Sequence, residues 1–411
     1  MKIAISQIIL VLFLFIMSFQ GKSQEVSDTL TKSKNCQQED IFDVIFKKKP
    51  STEIPIKKKL RFIAIPIVSY TPTTGVQIGA GASITWPWGS DPSTNLSAGI
   101  FQAVWTTERQ VIIQLKNNIY TRKNKWFIQT DWRWYLFRLA TYGLSTGCGE
   151  TSYPMLFNWV KFHNVFSRKI INHLYAGLGY HLDYHYSIKD ESLDTSAAGQ
   201  LLTPHYSYSV LHGFDPVQYR SSGISANFVY DTRDNIINPY KGFYVNVNYR
   251  YDFTWLGSQQ NGSRLWTEFR TYVGLSKITP RHLIAFWLFG NFKVNGEIPY
   301  LGLMSSGFDQ MNSSGRGYKQ GRWRGENFVY GEVEYRFPIS PCTGIVGGVL
   351  FANLTTASDR DSDIHLFQYL KPGAGFGVRI MVGKYDRTNL LIDFAMGEKF
   401  FGFYLQATEI F

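Results

Sequence analysis

Residues 243–252 of this chain read Phe-Tyr-Val-Asn-Val-Asn-Tyr-Arg-Tyr-Asp. Every odd position is aromatic or aliphatic, and the even positions carry Tyr244, two asparagines, Arg250 and Asp252. Successive side chains of a strand point to opposite faces, so this pattern predicts a strand with one apolar and one polar face. A soluble sheet also alternates in this way. In a porin-like barrel, the apolar face meets lipid and the polar face lines a wet lumen.

The same period of two recurs from residue 61 to the end of the chain. It predicts sixteen strands at 61–69, 75–86, 93–105, 109–121, 124–138, 156–170, 173–187, 220–231, 242–254, 263–276, 281–292, 326–338, 343–354, 371–382, 387–397 and 401–411. The count is even, as is typical of single-chain bacterial barrels. With a periplasmic N-terminus, the two longest connections, 188–219 and 293–325, both lie outside the cell, which is the usual asymmetry of such barrels.

Composition indicates the same fold class. The chain has 411 residues, of which 44% are hydrophobic and 16% aromatic, and no long apolar stretch follows its first two dozen residues. Lipid admits only helices and closed barrels. We therefore predict an all-β fold, a transmembrane antiparallel β-barrel of 16 strands, with a large soluble array of β-sandwiches as the alternative.

The N-terminus has the layout of a secretory signal peptide. Lys2 precedes an apolar run at 8–17, and small and polar residues follow at 21–24. The apolar run is too short for a permanent membrane helix, which needs about 20 residues. We expect a signal peptide at 1–23, a mature start near Gln24, and delivery to the outer membrane of a Gram-negative cell.

A short basic periplasmic segment is expected at 24–60, before a barrel at 61–411. Within it, residues 40–46 predict one short amphipathic helix. Its basic runs are Lys47, Lys48, Lys49, Lys57, Lys58 and Lys59. Charge runs are most often solvated linkers. The alternative is contact with periplasmic headgroups, unfolded outer-membrane proteins or a periplasmic partner.

The net charge is +11. The signal peptide sends the chain out of the cytoplasm, which argues against nucleic acid as the partner of this charge. Outer-membrane lipid, including the phosphate-rich lipopolysaccharide of the outer leaflet, is the expected partner of exposed Lys and Arg side chains.

Three segments carry a resemblance to a known family. They are Tyr230-Asp231-Thr232-Arg233-Asp234-Asn235 with Pro239 and Gly242, then Gly315-Arg316-Gly317-Tyr318, and then Glu334-Tyr335-Arg336-Phe337-Pro338. In this order, on sixteen strands, they resemble the barrel of the bacterial surface antigen superfamily, whose best-known members are BamA and TamA. The resemblance covers 61–411.

The resemblance implies that the sixth external loop folds into the lumen and docks on the inner wall. Arg316, Gly317 and Tyr318 match the family's loop tip, and Glu334 matches its docking acid, with Glu332 on the same face. Asn353 stands where the family usually has an acid, which puts a clamp of two carboxylates in doubt. The match to the family's periplasmic-turn motif comprises Asp231, Arg233, Asp234, Pro239 and Gly242.

The two ends of the barrel carry further expectations. Phe403, Leu405 and the terminal Phe411 share one face of the predicted last strand and resemble the family's insertion signal, and Glu409 on that face is expected near the periplasmic rim. Pro66 lacks a backbone donor. We therefore expect few backbone bonds across the seam between 62–68 of the first strand and 402–410 of the last.

Two functions remain open at this point. The first is outer-membrane protein or lipid biogenesis or translocation through that lateral seam. The second is a passive pore or structural scaffold without assembly activity. The 36 residues at 25–60 are too few for the family's periplasmic POTRA receptor modules, so we expect a barrel-only member, and this favours the second function.

Catalysis, cofactors and metals are not expected. There is no Gly-x-Ser-x-Gly elbow, P-loop or dinucleotide fingerprint. His181, Asp183 and His185 share a lumenal face, but no third strand offers an obvious ligand to complete a metal site. Cys36 and Cys342 both fall on the periplasmic side and could pair, whereas Cys148 in the third external loop is expected to stay free.

Overall fold

A computed structural model describes residues 39–46, 60–71, 74–89, 91, 94–196, 201–277, 279–384, 387–407 and 409–411. The predicted signal peptide, both Lys runs (47–49 and 57–59) and Cys36 lie outside the described residues.

All sixteen predicted strands are present, and they form one antiparallel sheet in which each strand pairs with the next along the chain. They are β1 (Arg61–Thr71), β2 (Gly75–Pro87), β3 (Leu96–Thr106), β4 (Val111–Tyr120), β5 (Trp126–Thr141), β6 (Tyr153–Ile171), β7 (Leu174–Asp190), β8 (Tyr219–Asp231), β9 (Gly242–Asp252), β10 (Gly262–Gly274), β11 (Leu283–Gly296), β12 (Asn327–Pro338), β13 (Val346–Ala357), β14 (Lys371–Gly383), β15 (Thr388–Gly397) and β16 (Phe400–Ala407). The predicted all-β class and strand count are confirmed.

The sheet curls so that its first and last strands lie side by side, with Cα atoms of β1 and β16 within 8 Å of each other. Between the described residues, however, hydrogen-bonded pairing runs from β1 through the sheet to β16 and does not join these two strands directly. Elsewhere the ladders are long. In β9 and β10, for example, residues 242–252 pair with 262–272 without interruption.

In the structure, β9 reverses the burial that is usual in soluble proteins, since its apolar side chains are more exposed than its polar ones. The apolar Tyr249 is 40% exposed, while its neighbour Arg250 is only 3% exposed. Asn246 and Asp252, on the same face as Arg250, are buried too. A soluble sheet buries its apolar face, so this strand is arranged for apolar surroundings outside the barrel and a polar interior.

Long loops cover the external end. Loop 4 (191–218) contains α2 (Pro204–Leu211), a helix that the sequence did not predict and that Thr203 caps at its N-terminus. Loop 6 (297–326) contains a two-residue ribbon in which Met304–Ser305 pairs with Arg324–Gly325. The loops interlock, since the Tyr208 hydroxyl of α2 donates to the Ile298 carbonyl oxygen of loop 6 at 2.9 Å.

Cys148 in loop 3 is a free thiol, as predicted. The Arg322 guanidinium of loop 6 donates to its Sγ at 3.1 Å. Burial raises the pKa of the Cys148 thiol, although the Arg322 charge acts in the opposite direction. The thiol is therefore less reactive than an exposed cysteine.

The end of the barrel opposite the long loops carries the predicted short helix, α1 (Ile41–Ile45). Its Asp43 pairs with Lys384 at 2.6 Å, and the Glu39 N–H donates to the Thr343 carbonyl oxygen at 2.9 Å. The helix therefore rests on the turns that follow β12 and β14. Cys342, in the first of these turns, is disulfide-bonded. No helix in the described part of the chain is long and apolar enough to cross a bilayer.

Aromatic side chains fill part of the lumen. We call the group Trp287, Phe289, Phe328, Tyr330 and Phe411 the lumenal aromatic cluster, and all five are buried. Trp287 packs against Phe289 and Tyr330 with ring centroids 5.2 and 5.3 Å apart. This cluster lies under loop 6 and supports the wall on which the loop docks.

Candidate functional site: the docked loop and the last strand

Arg316 lies at the tip of loop 6 inside the lumen and is 2% exposed. Its Nη1 lies 2.6 Å from Asp393 Oδ2. Its Nη2 lies 2.5 Å from Glu332 Oε1 and also bonds Glu334. A guanidinium offers a planar fork of donors that can bind several carboxylates at once. The structure thus brings both predicted acids of β12 to Arg316 and adds a third.

Asp393 of β15 is the functional residue that the sequence reading missed. It lies among apolar residues in Leu391-Ile392-Asp393-Phe394, and it is buried. A single acidic residue within an otherwise apolar stretch of a strand is the sequence signal that could have identified Asp393. The doubt about a clamp of two carboxylates was therefore wrong, because Arg316 meets three.

Asn353 of β13 has a different part in this contact. Its side-chain Nδ2 donates to the backbone carbonyl oxygen of Arg316 at 2.9 Å. The amide that replaces the family's usual acid thus holds the loop backbone, while the Arg316 charge is compensated by Asp393 on the strand two further along.

Two more arginines extend the network along the wall. Arg336 Nε donates to Glu334 at 2.7 Å, and Arg379 Nε donates to Glu409 at 2.9 Å. Arg379 also bonds Asp393. Together with Arg316, these form a buried network of three guanidiniums and four carboxylates, which we call the lumenal ion network: Arg316, Arg336, Arg379, Glu332, Glu334, Asp393 and Glu409. Removing one member of such a network leaves another charge buried without its partner, which is costly.

The neighbours of Arg316 at the loop tip fit closely against the wall. Gly317 has φ 96°, and a Cβ there would lie 2.6 Å from the Met396 carbonyl oxygen. Only glycine tolerates both conditions. The Gly317 N–H donates to the Tyr404 hydroxyl of β16 at 3.1 Å. The Tyr318 hydroxyl donates to the Pro372 carbonyl oxygen of β14 at 2.6 Å.

An aromatic ring covers the guanidinium itself. The Cζ atom of Arg316 lies 3.5 Å from the centroid of the Phe351 ring of β13. A cation over an aromatic face is attracted by the ring quadrupole, and more strongly when water is excluded. The loop tip therefore contacts five consecutive strands, β12 to β16.

The C-terminal tail differs from the prediction. The last strand ends at Ala407 and not at residue 411, so Phe411 does not share a face with Phe403 and Leu405. Phe411 turns into the lumen, where its ring lies 5.3 Å from that of Trp287 and its carbonyl oxygen accepts from Arg336. The prediction assumed a straight strand to residue 411, whereas the strand ends at Ala407 and Phe411 lies in the lumen.

Glu409 was expected near the periplasmic rim, and its partner Arg379 does lie near the end of β14, beside the short turn to β15. The charge is not solvated there, however, because Glu409 is buried. Its other oxygen accepts from the Asn389 side chain at 2.6 Å. The tail thus adds a charged group as well as an aromatic ring to the interior.

The periplasmic-turn motif forms a compact turn between β8 and β9. Asp231 pairs with Arg233 at 2.8 Å, and the Arg233 Cζ lies 4.4 Å from the Tyr244 ring centroid. Asp234 pairs with Arg387 of the turn before β15 at 2.7 Å. Pro239 lies in the same turn and is buried. At Gly242, φ is 97° and a Cβ would lie 2.3 Å from the Thr232 carbonyl oxygen, so this position also requires glycine.

Pro66 lies in the middle of β1, opposite Ala80 of β2.

The lumenal histidines are used differently from a metal site. Asp183 binds Arg250 at 2.6 Å and His163 at 2.9 Å. Within the described ranges, no group of three or more His, Cys, Asp or Glu side chains is placed to hold a metal ion.

Comparisons with known proteins agree on a family and a fold. Residues 166–396 match the Omp85 superfamily domain. No curated protein matches the chain. Among solved structures, BamA from Haemophilus ducreyi lacking POTRA domains 1–3 is similar, at 14% identity and a TM-score of 0.54, over 86% of this chain and 70% of that one. CdiB from Acinetobacter baumannii is similar at 13% identity and a TM-score of 0.51, over 86% of this chain and 60% of CdiB.

Proposed function

Because this chain belongs to the Omp85 superfamily and has the fold of its outer-membrane barrels, we propose that it acts in outer-membrane protein or lipid biogenesis, by insertion or translocation through the seam between β1 and β16. The observation that carries the proposal is the difference between this seam and every other strand boundary. Among the described residues, all other neighbours are joined by ladders.

The lack of a ladder between the described residues of β1 and β16 has a direct chemical consequence. The outer edges of β1 and β16 carry backbone N–H and C=O groups that can pair with an added strand. Strand addition of this kind provides affinity through the main chain and needs little sequence specificity. An incoming barrel strand is the substrate class that such an edge suits best.

The docking of loop 6 on the wall also supports this proposal. In the lumenal ion network, Arg316 of loop 6 pairs with Glu332 of β12 and with Asp393 of β15. Arg379 of β14 pairs with the same Asp393, so the network also includes β14. These strands therefore form a braced wall that can stay in place while the seam changes. We assign no catalytic role to the chain.

The alternative function is a passive pore or structural scaffold without assembly activity. Loop 6 and the lumenal aromatic cluster occupy part of the interior, which favours a scaffold over a wide pore. For partners, we propose outer-membrane lipid including lipopolysaccharide, and unfolded outer-membrane proteins or a periplasmic partner at Lys47–Lys49 and Lys57–Lys59 of the proposed periplasmic segment.

The decisive experiment closes the seam covalently. Ala64 of β1 and Leu405 of β16 both lie towards the periplasmic ends of their strands. In a Cys148→Ser background, Ala64→Cys is combined with Leu405→Cys, or with Phe403→Cys to allow for register. Cells depleted of the wild-type protein are complemented with these variants, oxidised, and examined for growth and for the protein content of the outer membrane.

The matched control places the same bond where a ladder already exists, at Val247→Cys and Thr267→Cys, which face each other in β9 and β10. We expect the seam crosslink to abolish complementation until a reductant is added, and the control crosslink to have no effect. A crosslinked seam that still complements fully would contradict lateral opening and favour the scaffold.

A further inference from the structure

A cavity of about 160 Å³ lies between loop 6 and the barrel wall. Loop 6 contributes Arg324 to its lining, β7 contributes His181, and β10 contributes Arg264 and Trp266. An engineered protein cavity of about 150 Å³ holds a benzene molecule. The space therefore accommodates a small solute of several heavy atoms.

Arg324 is the most unusual member of this lining, because it is 2% exposed and forms no salt bridge with any described residue. Its Nη1 donates to the carbonyl oxygens of Tyr300 and Leu303, both at 3.0 Å. Its Nε has no hydrogen-bond partner among the described residues. A buried guanidinium without a carboxylate is costly unless an anion compensates it.

The wall facing Arg324 also has donors in excess. Trp266 Nε1 and Arg264 Nε have no hydrogen-bond partner among the described residues, and neither does His181 Nδ1. All three residues line the same cavity as Arg324. Trp266 Nε1 and Arg264 Nε can only donate, whereas the role of the imidazole nitrogen depends on its tautomer.

The acids that line the cavity are already engaged. Asp183 accepts from Arg250 at 2.6 Å and bonds His163 at 2.9 Å. Asp309 accepts from the backbone N–H groups of Met311 and Ser314, at 2.7 and 2.8 Å. The cavity therefore offers unpaired donors while its two carboxylates are already paired, which favours an anion over a cation.

We propose that this cavity is a binding site for a small oxyanion, a phosphate, sulfate or carboxylate group. Such a group carries several acceptor oxygens, which can bind donors on opposite sides of the cavity. It would bridge Arg324 of loop 6 to Arg264 and Trp266 of the wall, and so hold the loop in its docked position. This site is separate from the lumenal ion network and does not depend on the function proposed for the seam.

The test uses the full chain purified in detergent, with calorimetric titration of inorganic phosphate at constant ionic strength. Sodium chloride is the reference, and thermal unfolding is followed in the same buffers. We expect saturable binding of phosphate and a melting temperature that rises with it to a plateau. Acetate replaces phosphate in one arm to test a planar carboxylate. Glycerol 3-phosphate replaces it in another, to distinguish the free ion from a phosphate carried on a larger molecule.

Two variants locate the site. Arg324→Met removes the unpaired guanidinium. Trp266→Phe removes one donor and keeps a ring for the stacking on Phe289, whose centroid lies 4.8 Å away. The matched control is Trp255→Phe, because Trp255 is 71% exposed in the external loop 5. Trp266→Phe should weaken phosphate binding about tenfold, the effect of losing one bond to a charged group, and Trp255→Phe should leave it unchanged.

Binding of phosphate supports the site. Binding of glycerol 3-phosphate as well would show that the site accepts a phosphate carried on a larger molecule, and its failure to bind would show that the site takes only the free ion. An affinity that Trp266→Phe leaves unchanged overturns the assignment, even if Arg324→Met fails to fold. Phosphate and acetate that act no differently from chloride on both binding and melting temperature would also overturn it.

Discussion

The two strands that meet at the seam, β16 and β1, are held in very different ways. β16 pairs with β15 along its whole length, and its Tyr404 hydroxyl bonds the tip of loop 6. The tail that follows it is fixed in the lumen, where Glu409 pairs with Arg379 and the Phe411 carbonyl oxygen accepts from Arg336. β1 pairs with β2 along its whole length as well. Among the described residues neither edge strand has a second neighbour in the sheet, so the contacts of β16 with loop 6 and of the tail with the lumen make the difference.

This difference shows that the two edges of a seam need not be equivalent. Stability in a protein is local, and segments with few supporting contacts open at low cost. The lumenal ion network and the C-terminal tail both act on the β16 side. If the seam opens, we expect β1 and its hairpin with β2 to move, while β16 stays with the braced wall.

The largest expected effect comes from removing the centre of the brace. Arg316→Ala leaves Glu332, Glu334 and Asp393 buried without their shared cation, which typically costs about 3–5 kcal/mol. We expect a lower midpoint of urea unfolding in detergent and loss of the heat-modifiable band on gels. The control is Arg360→Ala, since the Arg360 side chain is 60% exposed and its ion pairs with Glu297 and Glu326 are long, at 3.3 and 3.7 Å. Equal midpoints for the two variants would show that the network does not brace the wall.

The next effect concerns the tail. Phe411→Ala opens a cavity beside Trp287 and should cost about 3 kcal/mol. Phe367→Ala is the control, because Phe367 is exposed in the loop between β13 and β14. Refolding from urea into detergent involves no assembly machinery, so a loss of stability there reports packing alone. If Phe411→Ala refolds to wild-type stability and yet fails to assemble in cells, the residue acts as an insertion signal and not as part of the interior.

A smaller effect should follow from loosening β16 from the loop. Tyr404→Phe removes the hydroxyl that accepts from the Gly317 N–H, which is worth about 1 kcal/mol. Tyr249→Phe on the outer face of β9 serves as the control in the same urea titration. A Tyr404→Phe variant that is as stable as this control would mean that the loop tip does not secure the last strand.

The smallest perturbation is a measurement on the unmodified protein. Hydrogen exchange followed by mass spectrometry should show faster exchange in β1 than in β16. A difference of about 1.4 kcal/mol in local opening corresponds to a tenfold difference in exchange rate. The β9–β10 ladder provides the slow reference. Equal protection of β1 and β16 would contradict the unequal edges and would indicate that the seam opens from both sides or remains closed.

Much of the architecture could be predicted from the chain alone. A period of two is a local property, so the faces of β7 and β9 could be assigned before any partner strand was known. The loop motif at Arg316 and the acids at Glu332 and Glu334 also lie within short segments. α2 was missed because loop 4 carries no long periodic pattern, and its eight residues are ordered by Thr203 and by contact with loop 6.

The sequence by itself determined the strands and their faces, because these depend on residues close together in the chain, and the docking arginine followed from the resemblance carried by its short motif. Only the tertiary structure decided which distant groups meet. Asp393 joins Arg316 from 77 positions away, and Glu409 and Phe411 turn inward because the last strand ends at Ala407. The cavity beside Arg324 likewise exists only where loop 6 approaches the wall. Such contacts between distant residues depend on the curvature of the sheet and on where a strand ends, and neither property produces a periodic pattern in the sequence.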